Sequence, residues 1–140
     1  MTPLQEVAAQ DIVATVSAAI SRARHTILST MLIAEELRHP LPEAYFLLLE
    51  QRVAEGVQLT RLAFGSGEEL NMLPSRIREP KLPTELFHTQ SYPYKRLILI
   101  DGTTLFFAKQ DQEHRRFYTT TDQATIKSFI DYFTRGLQEA

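Results

Sequence analysis

The 140-residue chain contains no cysteine, which excludes disulfides, thiolate metal sites and a cysteine nucleophile. No apolar run reaches the roughly 18 residues needed to cross a bilayer. Its first residues, Met1-Thr2-Pro3-Leu4-Gln5-Glu6, offer neither the basic start nor the apolar core of a secretory signal, so a soluble, cytoplasmic protein is the expectation. Charge of one sign is also lacking: 15 Lys and Arg stand against 17 Asp and Glu, a formal charge of -2. That balance gives no general pull toward nucleic acid or anionic membrane, and nucleic acid is not an expected partner. No two of His25, His39, His88 and His114 sit at i, i+3 or i+4, so no local metal signature exists and no metal or cofactor is expected. Nothing matches a Gly-x-Ser-x-Gly nucleophile elbow. Repeats, low-complexity segments and linkers are absent too, and the chain reads as one globular domain over 1–140.

What is present centres on Tyr94-Lys95-Arg96-Leu97-Ile98-Leu99-Ile100-Asp101-Gly102-Thr103-Thr104-Leu105-Phe106-Phe107-Ala108. Two apolar runs flank Asp101-Gly102, a pair suited to a two-residue hairpin turn because both central residues need positive φ. Leu-Ile-Leu-Ile suits a strand buried on both faces. The hairpin is therefore expected at the centre of a sheet, with polar groups only at its ends: Tyr94, Lys95 and Arg96, then Asp101, then Lys109 to Asp111.

The rest of the chain supplies elements around it. Thr2-Pro3-Leu4-Gln5 reads as the start of a helix running to about Arg24, followed by a strand over 25–32. Residues 33–39 are ambiguous and end at Pro40 and Pro42. A helix from Pro42 to Glu55 stops at Gly56, and Val57 to Phe64 form a strand. Ser66-Gly67-Glu68-Glu69 is a capping box for a short helix ended by Pro74. Ser75 to Pro83 reads as a loop, Glu85 to Thr89 as a strand, and Arg115 to Thr119 as the strand after the hairpin. Thr120-Thr121-Asp122-Gln123 caps a final helix with an apolar stripe of Ile126, Phe129, Ile130, Phe133 and Leu137. The order α-β-α-β-α-β-β-β-β-α implies an α/β fold, a mixed sheet flanked by helices on both faces.

Other features carry weaker signals. Arg76, Arg78 and Lys81, with Arg115 and Arg116, form a small basic set whose plain reading is a solvated loop. Gly65-Ser66-Gly67 precedes a helix as an anion-binding nest would, but Glu68 and Glu69 repel phosphate. Ala44-Tyr45-Phe46-Leu47-Leu48-Leu49 is wider than the apolar stripe one core needs. Tyr45, Leu48 or their neighbours are then expected to be covered by an adjacent loop or by a second copy of the chain.

The element order and three stretches together resemble one repeat of the phospholipase D-like fold, over nearly the whole chain. The stretches are Ala19-Ile20-Ser21-Arg22-Ala23-Arg24-His25-Thr26-Ile27, Val53-Ala54-Glu55-Gly56-Val57-Gln58-Leu59 and Arg96-Leu97-Ile98-Leu99-Ile100-Asp101-Gly102. That family's signature is His-x-Lys, four further residues and Asp, then a Gly-Ser-x-Asn segment. Its His attacks phosphorus and its Lys holds the phosphate oxygens. Here Asp101 matches the Asp, but Tyr94 and Arg96 occupy the His and Lys positions. Ala108, Lys109 and Asp111 occupy those of Gly, Ser and Asn. A phenol of pKa about 10 needs activation that an imidazole does not, so the resemblance implies a non-catalytic relative with no catalytic residue. Single-repeat members of the family pair as twofold dimers, which implies a homodimer here, with Tyr45 and Leu48 at the interface.

The expected function is therefore a homodimeric binding or interaction module for an anionic or phosphorylated ligand or a partner protein. Its site would be a cleft of Tyr94, Arg96 and Asp101, with His88, Lys109 and Asp111 at the rim. Two alternatives stand beside it. One is a divergent phosphodiesterase or nuclease using His88 or Tyr94 in place of the lost His. The other is an assembly protein without a ligand site.

Overall fold

The computed structural model describes residues 4–78, 84–111 and 114–140, with only the main chain of Asp111. One seven-stranded mixed sheet runs through it, with strand order β1-β7-β6-β5-β2-β3-β4. The strands are β1 (Gln5–Val7), β2 (Thr26–Leu32), β3 (Gln58–Phe64), β4 (Glu85–Thr89), β5 (Leu97–Ile100), β6 (Thr104–Asp111) and β7 (His114–Thr120). The helices are α1 (Ile12–Ser21), α2 (Ile33–Arg38), α3 (Glu43–Ala54), α4 (Gly67–Met72), α5 (Ser75–Arg78) and α6 (Gln123–Glu139). β2, β3 and β4 run parallel, while β2 and β5 are antiparallel, as are the pairs from β5 out to β1.

The central hairpin is where the sequence places it. β5 is the fourth of the seven strands, and all four of its residues are buried. Alternation sends Ile98 and Ile100 to one face and Leu97 and Leu99 to the other. The first pair packs with Ile20 of α1 and Leu49 and Val53 of α3. The second packs with Leu62, Phe107 and the α6 residues Ile126 and Phe133. Helices thus cover both faces. The turn has φ 55 at Asp101 and φ 67 at Gly102, the left-handed pair expected of it. It carries one residue more than two: Thr103 N donates to Ile100 O at 3.1 Å, and pairing resumes at Ile100 with Thr104.

Local signals elsewhere fold as their chemistry dictates. Gly56 at φ 103 follows the end of α3. Ser66 Oγ accepts from Glu69 N at 3.1 Å while Glu69 Oε1 accepts from Ser66 N at 2.9 Å, so both arms of the capping box are made. Asp122 Oδ2 accepts from Thr125 N at 3.0 Å and starts α6.

Three segments depart from the sequence reading. Residues 5–7 are not helical; they form β1, paired with Phe117 to Thr119 of β7, and α1 begins only at Ile12. The open edge of β7 offers a row of main-chain partners, which a short apolar period does not outweigh. The expected cap residues Thr2 and Pro3 lie outside the described residues. The ambiguous stretch after β2 is helical, because α2 starts at Ile33 without a loop and buries it fully. Residues 75–78 are a single helical turn, α5, rather than loop, and residues 79–83, with Lys81, lie outside the described residues.

Candidate functional site

Chain direction reverses its drift across the sheet at β2. From β2 the chain builds outward to β3 and β4, then returns to place β5, β6 and β7 on the other side. Ligand sites in open α/β sheets lie beyond the carboxyl ends of strands at such a switch point. A pocket of about 120 Å³ lies there, between the sheet and α1, α2 and α3.

Its rim is charged. Glu35, in the first turn of α2, accepts from Arg96 Nη1 at 2.7 Å through Oε1, and the same oxygen accepts from Arg115 Nη1. Its other oxygen, Oε2, is buried without a partner. Burial pushes the Glu35 carboxyl up, but the hydrogen bond from Arg115 and the two guanidinium charges outweigh it and hold the group below the usual carboxylate range. The Arg96 guanidinium lies 5.9 Å from the ring centre of Phe117, close enough for a cation–π contact. Tyr94 packs edge-on against Phe64 at 5.1 Å, and burial pushes its phenol upward. The next glutamate, Glu36, is 8% exposed. It accepts from Leu41 N at 3.0 Å, and burial raises its carboxyl.

The floor and inner wall are mainly apolar, with Ser29, Thr30, His39, Arg61 and Tyr45 as polar exceptions. Ser29 sits on β2 in register with Arg61 on β3. Arg61 is buried and donates through Nη2 to Ile77 O at 2.9 Å, while its Nε is buried without a partner. Tyr45 of α3 completes the set; burial pushes its phenol to about 12, against smaller effects of Arg96 and Arg61 and with a smaller one of Glu36.

The segment carrying Tyr94 and Arg96 is pinned from the opposite face. Tyr132 of α6 donates its hydroxyl proton to Pro93 O and accepts from Lys95 N at 2.7 Å. Tyr92 OH donates to Tyr132 O at 2.8 Å. The Lys95 ammonium lies 5.1 Å from the Tyr132 ring centre.

Of the residues expected at the ligand site, Tyr94 and Arg96 line this pocket, while Asp101, His88 and Lys109 do not. Asp101 stands at the far end of β5. Its carboxylate accepts from Arg24 N at 2.9 Å, His25 N at 2.6 Å and Thr26 N at 3.1 Å. Burial works against that charge, but the three amides hold its pKa below the ordinary value. Asp101 therefore shares no cleft with Arg96 and is not its charge partner; that place belongs to Glu35. His88 Nε2 bonds Gly65 O at 2.7 Å, away from the pocket. Lys109 Nζ lies over the rings of Tyr118 and Phe107, at 5.6 and 5.9 Å. Asp111 ends β6 opposite His114, and its side chain lies outside the described residues. Tyr45 turns into the pocket, and Leu48 packs on the chain's own core. Leu47, at 51% exposure, is the large apolar residue of α3 that faces outward.

The basic set is dispersed. Arg76 pairs with Glu43 and Glu50, Arg78 donates to Asn71 O, and Arg115 pairs with Glu35. Among the described residues no group of three or more His, Asp or Glu could hold a metal. No helix among them is long and apolar enough to cross a membrane.

Sequence reasoning missed Glu35, Glu36, Ser29 and Arg61 as site residues. Arg61 had a readable signal: by strand alternation it shares a face with Leu59 and Ala63, so it must point into the core.

Neither a family model nor a curated protein sequence matches the chain. Solved structures do. The archaeal chromatin protein TrmBL2, whose structure shows a novel mode of DNA binding, matches with TM-score 0.73 and 16% identity, over 99% of this chain and 54% of that one. The chain thus spans about half the length of TrmBL2. NucT from Helicobacter pylori, a phospholipase D-family protein, matches with TM-score 0.65 and 13% identity, over 99% of this chain and 96% of that one. At these identities the likeness is one of fold, and it supports the phospholipase D-like architecture that the sequence resemblance implies.

Proposed function

We propose that the chain is a non-catalytic binding module of phospholipase D-like fold whose ligand occupies the pocket beyond β2. The observation that carries this is the state of Arg96. Where the family holds phosphate with a lysine, this chain has an arginine already held by its own Glu35. Where the family has a nucleophilic imidazole, it has a phenol that burial makes harder to ionise. Hydrolytic chemistry has lost both its attacker and its free cation. A pocket opens beside the same two residues, and the buried guanidinium of Arg61, with no carboxylate within ion-pair distance among the described residues, adds a positive charge to its wall. A small anionic ligand fits that balance.

Self-association belongs to the same proposal. With Tyr45 and Leu48 engaged inside the chain, Leu47 on α3 is the apolar residue available to a second copy.

An NMR screen of small carboxylated and phosphorylated compounds tests the site. Bound compounds are expected to perturb Ser29, Glu35 and Tyr45, and to leave bis(p-nitrophenyl) phosphate, DNA, RNA and phospholipid unhydrolysed in parallel assays. Perturbations gathered elsewhere on the surface overturn the site, and turnover of any of those substrates overturns the non-catalytic reading.

A second reading is DNA binding, favoured by the likeness to TrmBL2 and by Lys109, Arg115 and Arg116 on the β6–β7 hairpin. The formal charge of -2 counts against it, and gel-shift assays at low salt decide it.

A further inference from the structure

We propose that the pocket takes a small monoanion with a mostly apolar body, an aryl or short branched carboxylate, and that Arg61 seats its charge. This rests on the pocket being the ligand site and adds the class of ligand and the residue that reads it.

Arg61 is 6% exposed, the one arginine buried among the described residues. Arg96 and Arg115 share Glu35, and Arg76 has Glu43 and Glu50. Arg61 has no carboxylate within ion-pair distance among the described residues. Its one hydrogen bond goes to the Ile77 carbonyl, and its Nε stays buried and unpartnered. A guanidinium cannot shed its charge on burial as a lysine can. A buried charge is stable when a counter-charge or a full set of hydrogen bonds meets it. Arg61 has neither among the described residues, and it walls the pocket. An anion entering there supplies what is missing.

The neighbouring groups suit that anion. Ser29, in register beside Arg61, has a hydroxyl without a hydrogen-bond partner among the described residues, and so does Tyr45. With its phenol pushed to about 12, Tyr45 keeps its proton and can donate it to a carboxylate oxygen. Glu36 also lines the pocket, but the charges that act on it are those of Arg96 and Glu35, and its carboxylate takes the Leu41 amide. It does not neutralise Arg61.

The remaining wall fixes the body of the ligand. Ile12, Val16, Phe46, Leu49 and Phe106 present carbon to it. Its volume, about 120 Å³, is somewhat below the roughly 150 Å³ of a dry cavity that admits benzene. A nucleotide or sugar phosphate is too large and too polar. A benzoate-sized or isovalerate-sized carboxylate matches both the space and the single unmatched charge.

NMR titration of the full chain with benzoate, isovalerate, their uncharged amides benzamide and isovaleramide, and inorganic phosphate tests this. Both carboxylates are expected to shift the amides of Ser29, Tyr45 and Arg61 and to bind at least tenfold more tightly than the amides, with phosphate giving no response. Arg61→Met keeps the volume and removes the charge, a replacement that buried sites tolerate. It is expected to weaken carboxylate binding at least tenfold while benzamide binding holds or improves. Arg61→Lys supplies a cation that an entering carboxylate holds in its charged form and should stay within tenfold of the parent, so the assignment stays testable if the Met variant melts.

Equal binding of acid and amide, or carboxylate binding unchanged in Arg61→Met, overturns the role of Arg61 and leaves the pocket as the ligand site. A response to phosphate alone overturns the ligand class. Shifts that gather away from the pocket overturn both readings. No response to any of the five overturns this inference, while the wider screen still decides the pocket.

Discussion

The two ends of β5 carry polar groups of similar appearance and opposite use. At one end Asp101 is consumed: three main-chain amides of the α1–β2 connection converge on its carboxylate, and nothing of it is left for a ligand. At the other end Tyr94, Arg96 and Glu35 border open space, with Arg96 and Arg115 both paired to Glu35. Both ends hold residues of one signature, separated by the four residues of a strand that alternates faces. Matching a motif to a strand therefore says which residues occur, while the partners at each end decide whether they build the fold or face a ligand.

That contrast can be broken by substitution. The largest effect is expected at the structural end. Asp101→Ala removes the acceptor of three amides and puts alanine at φ 55, and should cost about 3 kcal/mol in urea denaturation. Because its native pKa is depressed, the contribution of Asp101 is complete above the unfolded value near pH 4. It disappears as pH falls through the lower native value. The stability gap between the parent and Asp101→Asn should therefore be full at pH 7 and close below about pH 4. A gap that persists at pH 2 would show that the carboxylate charge is not what the loop uses.

A smaller effect is expected at the other end. Glu35→Gln leaves Arg96 and Arg115 without their shared acceptor, and should cost about 2 kcal/mol. No loss of stability would mean that the two arginines are held by other groups. The smallest is Tyr94→Phe, which removes only a hydroxyl and should stay within about 0.5 kcal/mol of the parent, with ligand binding intact. If the chain hydrolyses a phosphodiester and Tyr94→Phe stops it, the contrast collapses and the Arg96 end is an active site.

Much of the sheet was legible because its cues are local. The Asp-Gly turn, the unbroken Leu-Ile-Leu-Ile run, Gly56 and the Ser66 and Asp122 caps each depend on a few adjacent residues. The helix expected from Thr2 failed because β1 exists only by pairing with residues 117–119, more than a hundred positions away. The site was less legible for the same reason. Glu35, Arg61 and Tyr45 come from different elements, and no spacing in the chain reports that they converge. The Tyr94–Arg96–Asp101 cleft erred the other way, since residues near in sequence were assigned to one place and the fold sent them to opposite ends of β5.

The clamp at Tyr132 has a consequence for the order in which the molecule is made. Residues 93–95 owe their position to a side chain of α6, which lies after all seven strands in the chain. A nascent chain that has emerged through β7 can pair its whole sheet and hold Lys95 O with Thr30 Oγ1, while Pro93 O and Lys95 N still lack the Tyr132 hydroxyl. The rim of the pocket then takes its final shape only when the last helix docks. Fold and binding site mature at different moments of synthesis, the site second.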